Sequence, residues 1–144
     1  MKIVVLIFAV TILDYTTKYH ITQTMTEGMS IPVIDGFFHI TYVLNAGAAF
    51  GILENQRTFF ILVALIMLAL FMYYFKTIMR EPLLVQVAVG LLAAGAVGNL
   101  IDRARIGKVI DFLDFRIWPV FNVADIAICV GAGVILWETL TRKE

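Results

Sequence analysis

Six aspartates, at positions 14, 35, 102, 111, 114 and 125, are the groups in this chain best suited to chemistry. Asp125 is the only charge within the apolar run Ile117–Trp137. A charge inside a bilayer costs at least a few kcal/mol unless it is neutralised, paired or wet, so an ionisable residue there is a functional candidate. Aspartate also favours helix starts, and both readings hold if the last helix begins near Asn122. Two carboxylates held close together cannot both ionise, so they share one proton. The charged one activates a water as general base. The protonated one polarises a scissile carbonyl and then helps the amine leave. Such chemistry cleaves an amide with neither a metal nor a covalent intermediate.

The partner of Asp125 comes from Asp102, Asp111 or Asp114. Asp102 is followed by Arg103, an ionic partner that would keep it charged. Asp111 sits among Val109, Ile110, Phe112 and Leu113, where desolvation favours a shared proton. It is the favoured partner. Asp114, three residues on, is a weaker rival in the same surroundings. Asp14 and Lys18 have the i, i+4 spacing of a helical ion pair, one that could still position the catalytic region. Asp35 is accounted for by a turn with Gly36.

Other chemistries find little material. Ser30 is the only serine, with no base placed beside it by the sequence. Cys129 is the only cysteine and lies in the apolar run Ile126–Leu136, as expected of a small buried residue. It can form neither an internal disulfide nor a cysteine cluster for zinc. His20 and His39 lack metal-ligand spacing, and His39 is expected on the wet face of a strand. No metal and no cofactor are expected.

The carboxylates need a scaffold, and the composition says which kind. Of 144 residues, 61% are hydrophobic and 15% charged, with a mean hydropathy of +0.92. Soluble domains average about 45–50% apolar and about 25% charged. The 11 basic and 11 acidic residues cancel, which excludes a nucleic-acid partner recruited by charge. A disordered chain is excluded as well.

A helix that crosses a membrane takes about 20 mostly apolar residues. Ile3–Ile21, Thr58–Phe75, Leu83–Ile101 and Ile117–Trp137 supply four such spans. Lys2 and the apolar run after it also suit a cleaved signal peptide, but no small-residue cleavage site follows, so a retained span is the preferred reading. On one continuous helix Trp118 and Trp137 would lie roughly 28 Å apart, an aromatic anchor for each face. Gly90, Gly95, Gly98, Gly131 and Gly133 read as helix-packing surfaces. Four spans place both termini on one side with Lys2, Lys76, Arg80, Arg142 and Lys143. The positive-inside tendency makes that side cytoplasmic. Arg103, Arg105, Lys108 and Arg116 then fall outside, to be offset by Asp102, Asp111 and Asp114. Asp35-Gly36 is a two-residue hairpin signal. Phe38, Ile40, Tyr42 and Leu44 alternate after it as one face of a strand. The expectation is a mainly α membrane protein: one domain over residues 1–144, with four transmembrane helices and a small β element outside the membrane.

Five strings stand in a telling order: Asp14-Tyr-Thr-Thr-Lys18, Asn45-Ala-Gly-Ala-Ala-Phe-Gly51, Gly98-Asn-Leu-Ile-Asp-Arg103, Val109-Ile-Asp-Phe112 and Phe121-Asn-Val-Ala-Asp125. Together they resemble bacterial lipoprotein signal peptidase, also called signal peptidase II or prolipoprotein signal peptidase. The resemblance runs from about Asp14 to Gly133. It implies an aspartyl endopeptidase of the bacterial inner membrane, with its site near the extracytoplasmic face and a β cradle over four transmembrane helices. The implied partners are membrane lipid and a prolipoprotein signal peptide carrying a diacylglyceryl cysteine, cut just before that cysteine. The family's catalytic aspartates fall on Asp111 and Asp125. Its supporting residues fall on Asp14, Lys18, Asn45, Gly47, Asn99, Asp102, Arg103 and Asn122. Two other classes compete: a proton-coupled transporter built on Asp125 and the Asp14–Lys18 pair, and a non-catalytic assembly subunit. Against transport, no pair of spans repeats and the polar residues gather at one membrane face.

Overall fold

The computed structural model describes residues 2–47 and 53–141. Its elements run α1 (Lys2–Thr24), β1 (Ser30–Ile34), β2 (Phe38–Asn45), α2 (Arg57–Ile78), α3 (Leu83–Ile106), β3 (Val109–Asp114) and α4 (Val123–Thr141). All four helices are long and apolar enough to cross a membrane. Lipid offers no hydrophobic force between helices, so they associate through small residues that allow close approach. α3 is built that way, burying Ala88, Gly90, Ala93, Ala94, Gly95, Ala96 and Gly98. It packs against α1, α2 and α4 and forms the hub of the bundle. α2 buries no residue and packs chiefly against α3.

Four of the five expected packing glycines touch a neighbouring helix: Gly90 faces Ile3, Gly95 faces Ala124 and Ile128, Gly98 faces Asp14 and Ala124, and Gly131 faces Ala88 and Leu92. Gly133 does not, because open space surrounds the position a Cβ would take.

The strands form one antiparallel sheet in the order β1-β2-β3. Ile40, Tyr42 and Leu44 pack with Ile21 and Met25 of α1 and with Ile110 and Phe112 of β3. That is the face the alternation predicted. The hairpin differs from the expected two-residue turn. Ile34 pairs with Phe38, so three residues, 35–37, make the loop. Gly36, in the middle of that loop, has φ 70°, a left-handed conformation that favours glycine.

The last helix starts at Val123, later than the apolar run from Ile117 suggested. Pro119 interrupts that run, and the chain before it turns back at Arg116, which has φ 64°. Phe121 then closes the loop on β3: its carbonyl accepts from the Leu113 N–H at 2.8 Å, and its own N–H donates to Leu113 at 3.1 Å. Trp118 lies in this loop and does not share a helix with Trp137.

Candidate active site

Asp125 stands in the first turn of α4 and faces a cavity of about 820 Å³. The start of that helix fixes its position. The Asn122 side-chain oxygen accepts the Asp125 N–H at 2.9 Å, and Asp125 Oδ2 accepts the Asn122 N–H at 3.2 Å. This is a reciprocal capping box with amide and carboxylate in the usual roles. The next free donor, the Ala124 N–H, is taken by Asp14 Oδ1 of α1 at 2.8 Å. Two of the helix's unpaired N–H groups are therefore met by side-chain oxygens from separate elements.

Asp111 approaches from the sheet. Its Oδ2 accepts from the Asn45 amide of the adjacent strand at 2.9 Å, and its Oδ1 from the Asn122 amide at 2.6 Å. Asp111 is 2% exposed. Burial, and then the charge of Asp125, push its carboxyl up to about 7 against the hydrogen bonds from Asn45 and Asn122 and the charge of Lys18. Asn99 links the two approaches: its amide donates to Asp125 Oδ1 at 2.8 Å, and its oxygen accepts from Asn122 at 3.2 Å.

Lys18 lies behind this layer. Its buried ammonium meets Asp14 and Asp102, each at 2.8 Å, and donates to Asn99 Oδ1 at 3.1 Å. Asp102 in turn accepts the Ile110 N–H at 3.2 Å, which anchors β3 one residue before Asp111. Lys18 is the cation of Asp102. The sequence had pointed to Arg103, but α3 turns successive residues to different sides. The Arg103 guanidinium lies 4.5 Å over the Phe60 ring and donates to the Gly47 carbonyl at 3.1 Å. Gly47 in turn donates its N–H to Asn45 Oδ1 at 2.9 Å.

All ten residues singled out in the sequence thus join one network. Six of them line the cavity: Asn45, Gly47, Asn99, Arg103, Asp111 and Asp125. The rival carboxylate, Asp114, is engaged elsewhere. It accepts from Thr41 at 2.7 Å and from the Arg116 N–H at 2.8 Å, and pairs with the Arg116 guanidinium at 3.0 Å. Burial opposes its ionisation, but these donors hold its carboxyl below the ordinary range.

Three expectations need correcting. Cys129 is exposed rather than buried and lines the cavity, one helical turn beyond Asp125. His39 is half-buried, with Nδ1 3.1 Å from Ser30 Oγ, so the serine does meet a base; neither residue borders the cavity. Of the outer cations, Arg116 alone pairs with one of the three named aspartates among the described residues. Arg105 reaches the Tyr15 hydroxyl at 3.4 Å. Two expectations lie outside the described residues: Arg142 with Lys143, and the stretch 48–51 of the Asn45–Gly51 string. The sequence did not reveal β3 as a strand. Its signal was a short apolar run bounded by Gly107 and Arg116.

Four helices long and apolar enough to cross a membrane, with Asp111 and Asp125 bordering one cavity, give the chain the form of a multi-pass membrane protein. The family model for Signal peptidase (SPase) II matches residues 6–141. A lipoprotein signal peptidase of Pelotomaculum thermopropionicum is 46% identical across 100% of this chain and 95% of its own length. One of Halothermothrix orenii is 45% identical across 93% and 94%. A solved bacterial membrane enzyme superposes with TM-score 0.88 at 40% identity, covering 99% of this chain and 92% of its own. The chain belongs to the signal peptidase II family, which makes it a transmembrane, aspartic-type protease of signal-peptide processing.

Proposed function

We propose that this protein removes signal peptides from prolipoproteins, cutting just before the diacylglyceryl-modified cysteine with Asp111 and Asp125 as its aspartyl pair. The observation that carries the reading is the shared cavity: two carboxylates from different elements border it, and Asp111 titrates near 7 through burial and the charge of its partner. The names of the relatives supply the lipoprotein.

In this mechanism Asp111 holds the proton and hydrogen-bonds the scissile carbonyl. Asp125, charged and fixed by Asn99 and the α4 cap, takes a proton from water as the oxygen attacks the carbonyl carbon. The C–N bond breaks when the cysteine's nitrogen takes a proton from the pair, which returns to its one-proton state. Asn45 and Asn122 aim Asp111. Lys18, Asp14 and Asp102 fix the helix start and the strand that carry the pair. Arg103 and the Gly47 backbone form the wall that a substrate strand lies against. Ile126, Cys129 and Val130 give the cavity an apolar floor for the lipid-bearing end, which reaches it sideways from the bilayer. The site lies at the end of the bundle away from Lys2, Lys76 and Arg80. This supports a multi-pass protein of the bacterial plasma membrane with cytoplasmic termini and an extracytoplasmic site.

The test is cleavage of a diacylglyceryl-modified precursor beside its unmodified form, by wild type and by Asp111→Asn and Asp125→Asn. The modified precursor alone is expected to be cut, and neither variant to cut it while both still accumulate in the membrane. Full activity in either variant overturns the assignment.

A further inference from the structure

We propose that Arg57, outside the cavity and absent from the family strings above, is a positioning residue that sets Arg103 against the cavity wall. The inference rests on the proposed peptidase site and extends it to the first turn of α2.

Arg57 is the first residue of α2. Its Nε donates to the Arg103 carbonyl and its Nη2 to the Ala104 carbonyl, each at 2.8 Å. These carbonyls lie in the last turn of α3, where the helix dipole favours a cation; the Arg103 carbonyl also accepts the Gly107 N–H at 3.1 Å, so Arg57 joins the helix cap there. The chain leaves that turn through Gly107 at φ 78°, and the stem of Arg57 passes 3.5 Å from where a Cβ on Gly107 would sit. Phe60, one turn along α2, carries the guanidinium of the same Arg103. The first turn of α2 therefore grips Arg103 twice, by its backbone through Arg57 and by its side chain through Phe60.

This grip matters because α2 is held chiefly by its packing along α3. It buries no residue, and among the described residues its only side-chain hydrogen bonds to another element are those of Arg57. A planar two-donor fork fits two successive carbonyls better than an ammonium does. Without it, the α2 start can drift from α3, taking the Phe60 ring from under Arg103. The Arg103 donor then leaves the Gly47 carbonyl, and the cavity wall loosens.

Coupling tests this directly. Arg57→Gln and Arg57→Lys are made in the wild type and in an Arg103→Lys background. Cleavage of a diacylglyceryl-modified precursor peptide is measured per folded enzyme, with melting midpoints recorded alongside. In the wild-type background Arg57→Gln is expected to lower kcat/KM about tenfold, in line with losing hydrogen bonds from a charged donor. Arg57→Lys, which keeps the charge and one donor, is expected to lose less. In the Arg103→Lys background both are expected to cost less than twofold, because residues acting through a shared partner are not additive. Equal losses in the two backgrounds, or wild-type activity in Arg57→Gln, overturn the proposal. Where Arg57→Gln fails to fold, the lysine variant carries the same cycle. Failure of the peptidase reading is distinguishable, since it would show as activity in Asp111→Asn whatever Arg57 does.

Discussion

Asn122 and Asp125 cap each other across the first turn of α4, side-chain oxygen to backbone N–H in both directions, at 2.9 and 3.2 Å. The same Asn122 amide also reaches Asp111 at 2.6 Å. One neutral side chain thus starts the helix that carries one carboxylate and hydrogen-bonds the other. Asn122 is fully buried, so its bonds have no water to replace them.

Asn122→Ala is expected to act on stability and cleavage together. Losing an N-cap costs about 1 kcal/mol, and the donors and acceptors left unpaired add about 1–3 kcal/mol. With Asp111 unaimed, cleavage of the lipid-modified precursor should fall at least about a hundredfold, as for other lost positioning contacts at a reacting centre. Thermal melting and turnover on one preparation check both. Wild-type turnover in a less stable protein would leave Asn122 with the cap alone.

The raised carboxyl of Asp111 predicts a pH dependence of definite sign. An ordinary aspartate titrates near 3.8, and Asp111 is pushed up to about 7. The native state therefore holds this proton more tightly than the unfolded chain does. The resulting stability is complete below about pH 3.8 and is lost as pH rises to about 7. The melting midpoint of the wild type should fall between pH 5 and pH 8 by an amount that Asp111→Asn does not show. Asp114 has the opposite sign, its stabilisation being lost only as pH falls below the ordinary carboxylate range, so the two windows do not overlap. Turnover should also decline as pH passes about 7, when Asp111 gives up its proton. A turnover that stays flat to pH 9 would contradict the role given to that proton.

Among the described residues, Lys18 is the only cation within ion-pair reach of Asp14 and Asp102. Lys18→Met leaves both carboxylates buried and unpaired. Breaking a buried pair by removing one partner costs about 3–5 kcal/mol. The variant should accumulate poorly and melt well below wild type. A double change, Lys18→Met with Asp102→Asn, should recover part of that loss by removing one stranded charge. Yield and melting of the three proteins in detergent decide it, and no recovery would mean that the lysine acts mainly through Asn99.

The sequence revealed what depends on composition and period, and concealed what depends on backbone turns. Four spans were legible because a charge-free apolar run has few other uses. The inner face of β2 was legible because period-two alternation sorts Ile40, Tyr42 and Leu44 together. Asp111 was preferred on its apolar neighbours, but Asp114 shared those surroundings and Asp102 was set aside for its neighbour Arg103, so sequence alone separated the three only weakly. The start of α4 was concealed because Ile117–Phe121 is as apolar as the helix after it, and only Pro119 marks the break. The partner of Asp102 was misread because adjacency in sequence does not mean adjacency on a helix: Arg103 faces Phe60, and Lys18 comes from another helix. Arg57 carried no local signal, since both its acceptors are backbone carbonyls 46 and 47 residues away.

Two glycines of similar appearance should respond differently to a single methyl group. A Cβ on Gly98 would sit 2.5 Å from Asp14 Oδ2 and 3.1 Å from the Ala124 Cβ. Asp14 cannot yield freely, because it is tied to Lys18 and to the Ala124 N–H. Gly98→Ala should therefore destabilise the protein by about 1–3 kcal/mol, the usual cost of overpacking, and displace the α4 start that carries Asp125. A Cβ on Gly133 meets nothing within 4 Å, so Gly133→Ala should leave melting and cleavage unchanged within about 0.5 kcal/mol. Equal behaviour of the two variants in melting would mean that α1, α3 and α4 pack less closely around Asp14 than these distances require.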